Sequence, residues 1–299
     1  MPLSSPTNRV LLPVAASRRC AVETRGIAVI VAPAASCVLR VMAGVMAGAL
    51  AACAAHAQQD GDGVDKVAAQ LANPLAPVTT LAAQVRAEFG NGPRDQTNYT
   101  LRIQPSFFKP LPGNAAVLLR TVLPLRGLHW PGRADGVGDL TLVPYYVPDI
   151  TRKVFVGYGA SLGIPTAGDD LLGSGKWSAG PAVIFAVTGQ PFTWGALAQH
   201  VWSVAGAADR AVLNVTTLQP FATYLLAGGW SLNLTTETSY NWQARGDGAW
   251  TFPLTAGVSR VVDVGGRYVN LGAAVVAYPK KPDFAPDWEL RFAATYVVR

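Results

Sequence analysis

Three features that are common in other proteins are scarce in this sequence. Charged residues make up only 14% of its 299 residues, against about 25% in ordinary soluble domains. It has 3 cysteines, and none follows Cys53. Hydrophobic residues reach 50%, yet no uninterrupted apolar run attains the roughly 20 residues that a membrane helix needs. The low charge argues against an ordinary soluble domain, and the missing runs exclude a protein that crosses the membrane with helices.

The N-terminal part has the pattern of an export signal. An apolar run over 41–55 ends at Ala55-His56-Ala57, a small-x-small cleavage pattern. This is typical of a secretory signal peptide, so we expect residues 1–57 to be an extension and signal that are removed. Cleavage before Cys53 is a second possibility, which would leave a lipidated cysteine. The sequence does not decide between a long signal and an early start codon.

Removal of this segment changes the charge balance and the chemistry that remains. The chain has 24 Lys and Arg against 18 Asp and Glu. Five Arg and Glu23 lie in residues 1–57, which leaves 19 against 17, a net charge of +2. A balance this small gives no reason to expect a nucleic-acid partner. Without cysteine the remaining chain forms no disulfide and no thiolate metal site, and we expect no cofactor and no metal.

The clearest pattern in the chain is the stretch 230–242, W-S-L-N-L-T-T-E-T-S-Y-N-W. Its even positions are Trp230, Leu232, Leu234, Thr236, Thr238, Tyr240 and Trp242, and its odd positions are all polar, with Glu237 among them. A period of two predicts a β-strand. Tilted by about 40°, the ten steps from Trp230 to Tyr240 rise roughly 25 Å, which is the height of the apolar band of an outer-membrane barrel with its two aromatic girdles.

Twelve segments fit such a strand. They are 78–89, 98–108, 115–125, 138–147, 154–165, 177–188, 192–204, 212–225, 230–242, 250–262, 267–278 and 288–298. Longer polar connections alternate with shorter ones, as loops and turns do in outer-membrane barrels. We therefore predict an all-β fold, a single closed antiparallel transmembrane β-barrel of about 12 strands over 78–299, preceded by a mobile periplasmic lead-in over 58–77.

Three observations leave parts of that prediction open. Ten or fourteen strands remain possible, since strand ends are the least reliable part of such a pattern. Six prolines fall inside the predicted strands, where proline cannot donate to the hydrogen-bond ladder. They are Pro105, Pro124, Pro144, Pro181, Pro220 and Pro253. The faces of the segment 212–225 do not separate, and its register stays open.

Charged positions predict which face of each strand is turned to the lumen, because a Lys or Arg on the lipid face at mid-membrane costs about 2–4 kcal/mol. The inward set is Arg86, Glu88, Arg102, Arg120, Asp139, Glu237, Glu289 and Arg291. These residues form either a charged constriction that selects solutes or ion pairs that fill a closed lumen. A barrel of about eight strands has a filled interior and one of about sixteen has an aqueous channel, so a barrel of about twelve strands lies between these two cases.

Two further groups of residues have a candidate role. The loop from Gly168 to Lys176 contains G-S-G-K without the spacing of a phosphate loop; we place Asp169, Asp170 and Lys176 at the pore mouth, on a loop that either folds inward or stays in solvent. His129 and His200 are the histidines that follow residue 57. His200 and Ser203 point to opposite faces of a strand, so we assign no catalytic residue.

Several stretches carry a resemblance to a known family. They are L-A-N-P-L-A (71–76), Y-T-L-R-I-Q-P (99–105), G-V-G-D-L (136–140), P-T-A-G-D-D-L-L-G-S-G-K-W-S-A-G-P (165–181), G-A-L-A-Q-H-V-W-S-V-A-G (195–206), L-Q-P-F (218–221) and 230–242. In these the chain resembles a bacterial outer-membrane barrel family often labelled neuromedin U-like, related to the barrel family named for the MetA pathway of phenol degradation. The resemblance implies a transporter-like or channel-like barrel, with no established substrate and no hormone activity. The C-terminus departs from barrels that end on an aromatic residue, since Val297, Val298 and Arg299 follow Tyr296.

The pattern and the resemblance together favour one function. We expect a channel or transporter for a small solute, not an enzyme, in the outer membrane of a Gram-negative bacterium. Its expected partners are outer-membrane lipid and the barrel-assembly machinery. The alternatives are a structural or surface-interaction barrel with a closed lumen and, less favoured, an enzyme of the outer-membrane lipase or protease type that uses His129 or His200.

Overall fold

The computed structural model describes residues 61–74 and 77–298. The expected signal peptide, its cleavage site and Cys53 lie outside the described residues. Within them, no helix is long and apolar enough to cross a membrane.

The described chain consists of one helix, two short 3-10 turns and fourteen strand segments. They are α1 (Gly61–Ala72), β1 (Thr79–Asn91), β2 (Gln96–Pro110), β3 (Ala116–Leu128), β4 (Ala134–Val137), β5 (Leu140–Val147), β6 (Val154–Ile164), β7 (Lys176–Val187), β8 (Phe192–Gly206), β9 (Asn214–Leu225), β10 (Trp230–Thr235), β11 (Thr238–Asn241), β12 (Trp250–Asp263), β13 (Tyr268–Lys280) and β14 (Trp288–Val298). The 3-10 turns are Gly92–Arg94 and Gly246–Ala249.

The strands form one antiparallel sheet that closes on itself. The first strand, β1, pairs with β2 on one side and with the last strand, β14, on the other. Segment β4 is a short ribbon that pairs only with β3, and β10 and β11 are two parts of a single strand between β9 and β12. The barrel therefore has 12 strands, each paired with its neighbours in the chain. The predicted fold class and strand number are both confirmed.

The predicted strand 230–242 is interrupted at Thr236 and Glu237, and two prolines explain the gap. On β9, the carbonyl of Pro220 accepts a hydrogen bond from the Thr236 N–H at 3.2 Å, but Pro220 has no N–H to return. On β12, the register on either side places Pro253 opposite Glu237, where the same donor is missing. The register does not shift across the gap, so the alternation of faces continues through it.

The outer surface is the apolar face that the sequence predicts. Leu232 and Leu234 are 47% and 51% exposed, as side chains that face lipid must be. Exposed tryptophans lie at two levels, near the two ends of the strands. Trp194 and Trp230 lie at the end where α1 is found, and Trp177, Trp202, Trp242, Trp250 and Trp288 lie at the other. We call the end with α1 and the short turns periplasmic and the opposite end extracellular, as in known barrels.

Helix α1 (Gly61–Ala72) lies within the predicted periplasmic lead-in, and the sequence analysis did not predict it. Its apolar side chains recur at spacings of three and four, which gives the helix one apolar face. This face packs on side chains that point into the periplasmic mouth of the barrel. The cluster comprises Val64, Val67, Ala68, Val261 and Val297, with Leu71, Val78, Leu225 and Tyr268 against it. The backbone N–H of Gly229 donates to Asp65 Oδ1 at 2.6 Å, which ties the helix to the β9–β10 turn.

Cysteine labelling tests the two faces of the strand 230–241. Cysteines at Leu232 and Leu234 should react with a lipid-soluble maleimide, and those at Asn233 and Thr235 with a water-soluble one, because the odd-numbered pair lines the lumen. The expected mature chain has no native cysteine to give a background signal. Equal labelling of both pairs by both reagents would contradict the assignment of faces.

Candidate functional site

The structure places all eight predicted charged residues on the inner face of the barrel. Arg86, Glu88, Arg102, Asp139 and Glu237 line a cavity in its extracellular half. Arg120 and Arg291 line a second cavity nearer the periplasm. Glu289 is fully buried between neighbouring side chains. The lipid face carries apolar residues at the corresponding positions, because alternation sends every second side chain of a strand inward.

Glu289 is the centre of this group. Arg86 donates from Nε and Nη2 to its two carboxylate oxygens at 2.6 and 2.9 Å. Arg291 donates to the same two oxygens at 2.6 and 3.3 Å. The hydroxyl of Tyr278 adds a bond to Oε2 at 2.7 Å. One buried carboxylate thus receives five hydrogen bonds from three side chains, which hold it in one position within the barrel wall.

A second carboxylate, Glu237, connects opposite walls of the barrel. Arg102 on β2 lies 3.6 Å from Glu237 Oε1, and Arg291 lies 3.8 Å from Oε2. Strand β2 and the strand that contains Glu237 are five strands apart in one direction around the barrel and seven in the other, so the Arg102–Glu237 ion pair crosses the lumen. Its longer distances make this contact weaker than the one at Glu289. We call Arg86, Arg102, Glu237, Glu289, Arg291 and Tyr278 the lumen cluster.

The ion pair between Arg102 and Glu237 divides the lumen into two chambers. The extracellular chamber has a volume of about 750 Å³ and the periplasmic chamber about 290 Å³. Arg102 and Glu237 are the two residues that line both, so their ion pair lies where the two cavities adjoin. A further cavity of about 210 Å³ lies between the periplasmic chamber and the end of α1, lined by Leu71 and Arg120 among others. The lumen thus contains neighbouring cavities that share charged lining residues.

The loop 165–175 between β6 and β7 folds inward over the extracellular chamber; we call it the inward loop. Of the two alternatives left by the sequence, the structure shows this one, since Leu171, Leu172, Gly173 and Ser174 line the chamber. Asp139 holds the loop. Its carboxylate accepts hydrogen bonds from the Ser174 N–H at 2.6 Å, the Ser174 hydroxyl at 2.7 Å and the Ala167 N–H at 3.3 Å. Asp139 therefore anchors the loop at the wall of the chamber.

The β8–β9 loop holds the inward loop from the other side. Arg210 donates to the backbone carbonyls of Asp170 at 2.6 Å and Ser174 at 3.3 Å, and also to that of Gly173. It also lies 3.5 Å from the Asp170 carboxylate. The Lys176 ammonium, which is buried, donates to the carbonyl of Ala207. Asp170 and Lys176, both predicted at the pore mouth, thus connect two extracellular loops.

Leu172 anchors the tip of the inward loop. Its side chain is 1% exposed and packs on Leu128 and Ala134. Glycines of the β3–β5 connection leave the space that it needs, since a Cβ at Gly136 would meet the leucine Cδ1 at 3.0 Å and a Cβ at Gly138 would meet its carbonyl oxygen at 3.1 Å. The third predicted loop residue, Asp169, accepts a hydrogen bond from the Leu171 N–H at 2.8 Å and shapes the turn itself.

Sequence reasoning missed three residues of the site. Arg126 lines the extracellular chamber but was assigned to a loop, because the predicted strand ended at residue 125 and β3 continues to Leu128. Tyr278 points inward, and its even-numbered position on β13 could have predicted this direction. Arg210 lies in a loop, where no periodicity indicates a partner.

Both histidines lie away from the lumen cluster. His200 is on the outer face beside Trp202, and its Nδ1 is 2.7 Å from the Thr216 hydroxyl, which also accepts from Trp242 Nε1 at 2.9 Å. His129 follows β3 in an extracellular loop, edge-on to Tyr99. Ser203 points inward, where its hydroxyl accepts a hydrogen bond from the Leu213 N–H, so it does not meet His200.

Comparison with known proteins supports the architecture. No protein-family model and no curated protein sequence matches the chain. Solved structures do. An outer membrane channel from Pseudomonas putida F1 aligns with a TM-score of 0.56 and 13% identity over 74% of this chain and 96% of that one. The NanC porin aligns with a TM-score of 0.50 and 9% identity over 74% and 99%.

The chain shares the closed β-barrel fold of this outer membrane channel and this porin. At these identities the likeness concerns the fold, and it agrees with the closed wall and the outward apolar band seen in the structure. Membership in the neuromedin U-like family stays a prediction. The lumen cluster, the two chambers and the inward loop are features of this chain's own residues.

Substitution of Glu289 tests the stabilising role of the lumen cluster. The variant Glu289→Gln should lower the free energy of unfolding by about 3–5 kcal/mol, because it leaves the guanidinium groups of Arg86 and Arg291 buried without their shared carboxylate. The shift from folded to unfolded mobility on heating in detergent gel electrophoresis measures this. Asp149→Asn, which breaks an exposed ion pair with Arg152 in a periplasmic turn, should leave heat resistance unchanged, since exposed pairs contribute little. Equal heat resistance of the Glu289 variant and the wild type would contradict the assignment.

Substitution of Arg210 tests the anchoring of the inward loop. In Arg210→Ala the loop loses hydrogen bonds to three carbonyls, so a non-specific protease added outside should cut within 165–175 several-fold faster than in the wild type. Mass spectrometry of the fragments locates the cut. Arg133→Ala, an exposed cation on the neighbouring extracellular connection, is the matched control. If both variants are cut at the wild-type rate, Arg210 does not hold the loop.

Proposed function

We propose that this barrel is a channel for the passage of small solutes across the outer membrane, with the Arg102–Glu237 ion pair as its constriction. The single observation that carries the proposal is the series of neighbouring cavities inside the lumen. They are lined by charged and polar side chains and meet at that pair. A barrel that served only as a wall or an anchor has no need of a polar cavity of about 750 Å³ beneath its extracellular loops.

The strengths of the two ion-pair groups support a constriction rather than a permanent plug. The contacts at Glu289 lie within one wall, at 2.6 to 3.3 Å, and they brace the barrel without blocking it. The contact across the lumen is 3.6 Å long, and both of its side chains remain 21% and 28% exposed. A partly hydrated pair at this distance exchanges partners at modest cost. A solute with polar groups can therefore replace Arg102 or Glu237 as the partner of the other.

Helix α1 and the inward loop set the size of solute that fits. The inward loop narrows the extracellular chamber, and α1 occupies part of the periplasmic mouth. The periplasmic chamber of about 290 Å³ is at the lower end of the range of small-molecule sites. We therefore propose small metabolites as solutes, and passage rather than catalysis as the activity.

Single-channel recording tests this proposal. The wild-type protein in a planar bilayer should give discrete current steps, and Glu237→Ala should raise the unit conductance because it removes one half of the pair across the lumen. Asp283→Ala removes an exposed carboxylate from the extracellular β13–β14 loop and should leave the conductance unchanged. Absence of steps in both the wild type and the Glu237 variant, with both proteins folded, would contradict the channel function.

A further inference from the structure

The charges inside the barrel do not balance. Five arginines face the lumen, Arg86, Arg102, Arg120, Arg126 and Arg291, against three glutamates, Glu88, Glu237 and Glu289. Glu289 is fully engaged by Arg86 and Arg291. Asp139 is a fourth inward carboxylate, and it is hydrogen-bonded to the inward loop. Against these four carboxylates, the five arginines leave an excess of one positive charge.

Two of these arginines have neutral partners. In the described part of the chain, no carboxylate lies within 4.0 Å of the Arg120 or Arg126 guanidinium. Arg126 reaches the carbonyl of Leu172 at the long distance of 3.5 Å, and Arg120 contacts the hydroxyl of Tyr145. A guanidinium has five donors in a planar fork that matches a carboxylate. Both residues thus have donors left for an anion.

Arg120, Arg126 and Arg102 form a line along the part of the barrel wall made by β2 and β3. Across the β2–β3 pair, Thr100 lies opposite Arg126, Arg102 opposite Pro124, and Ser106 opposite Arg120. The β3 residue level with Arg102 is Pro124, which lies two residues from Arg126 and four from Arg120. Measured along the strands, Arg102 is therefore roughly 7 Å from the level of Arg126 and roughly 13 Å from the level of Arg120. Arg126 lines the extracellular chamber, Arg102 lines both chambers, and Arg120 lines the periplasmic chamber and the cavity next to α1. We call these three residues the arginine line.

We propose that the solutes are small organic anions with a carboxylate group, which pass from one guanidinium to the next along Arg126, Arg102 and Arg120. This inference rests on the proposed channel function and names its substrate class. Each step offers a bidentate donor for the same carboxylate, and the excess positive charge, enclosed by the low-dielectric wall, concentrates anions and repels cations. At the constriction the incoming carboxylate replaces Glu237 as the partner of Arg102. Because Glu237 then keeps Arg291 as a partner, this exchange leaves no charge unpaired.

Reversal potentials in salt gradients test the proposal. In gradients of potassium chloride and of potassium acetate, the wild-type protein should be more permeable to the anion than to potassium. The double variant Arg120→Gln/Arg126→Gln should reduce the ratio of anion to cation permeability by roughly threefold or more, since the field in the lumen depends on these charges. Neither substitution touches the lumen cluster at Glu289, so the barrel should assemble, which heat-modified gel mobility checks.

Two controls separate charge in the lumen from other effects. Arg152→Gln/Arg267→Gln removes two exposed cations from periplasmic turns and should leave the permeability ratio unchanged. Arg120→Lys/Arg126→Lys keeps the charge and should retain most of the anion preference, although it loses the bidentate geometry.

The outcomes distinguish this inference from the proposed function. Current steps with no anion preference, or with a preference that the glutamine double variant leaves intact, overturn the anion pathway and leave the channel standing. Complete absence of current in the wild type overturns the channel, and the anion pathway falls with it. An anion preference that falls in the glutamine variant and persists in both controls supports the arginine line.

Discussion

In the hydrocarbon core of a membrane no water can bond to a free backbone N–H or C=O, and each unpaired group costs several kcal/mol. The pairing of β1 with β14 meets this constraint, because it leaves no free edge in the wall. Every other feature depends on that closure. It directs alternate side chains to the lipid and to the lumen. It also confines missing backbone N–H donors to single positions such as Pro220 and Pro253. It also makes the lumen an enclosed space in which charges interact strongly.

Within that space, the charged side chains divide into a rigid group and an adaptable one. Glu289 receives five hydrogen bonds from its own strand and the two strands beside it and acts as a structural brace. Glu237 shares two longer contacts, one of them across the lumen, and lies at the break in its own strand. A brace beside a weaker contact is what a barrel needs if its centre has to open for a solute while its wall keeps its shape.

The elements that narrow the two ends of the lumen are held in place by different kinds of contact. At the periplasmic end, α1 packs through an apolar face, which makes the contact broad and tolerant of small shifts. At the extracellular end, the inward loop is held by directional bonds to Asp139 and Arg210 and by the buried side chain of Leu172. Directional bonds fix the loop in one position. The arginine line runs between these two ends along β2 and β3, where it meets each chamber in turn.

The sequence alone determined the closed barrel and the inward direction of the charged residues, because a period of two and the cost of a charge in lipid act locally along each strand. It predicted about twelve strands, and the pairing in the structure selected twelve over ten or fourteen. Even the stretch 230–242 keeps its predicted faces across the break at Thr236 and Glu237. Tertiary structure decided what periodicity does not encode. Loop residues have no fixed face, so the partners of Arg210 and Asp139 followed only from folding, as did the packing of α1 into the barrel mouth. The pairing of Arg102 with Glu237 depends on the curvature that brings β2 opposite β10 and β11, and only closure of the sheet makes those two strands face each other.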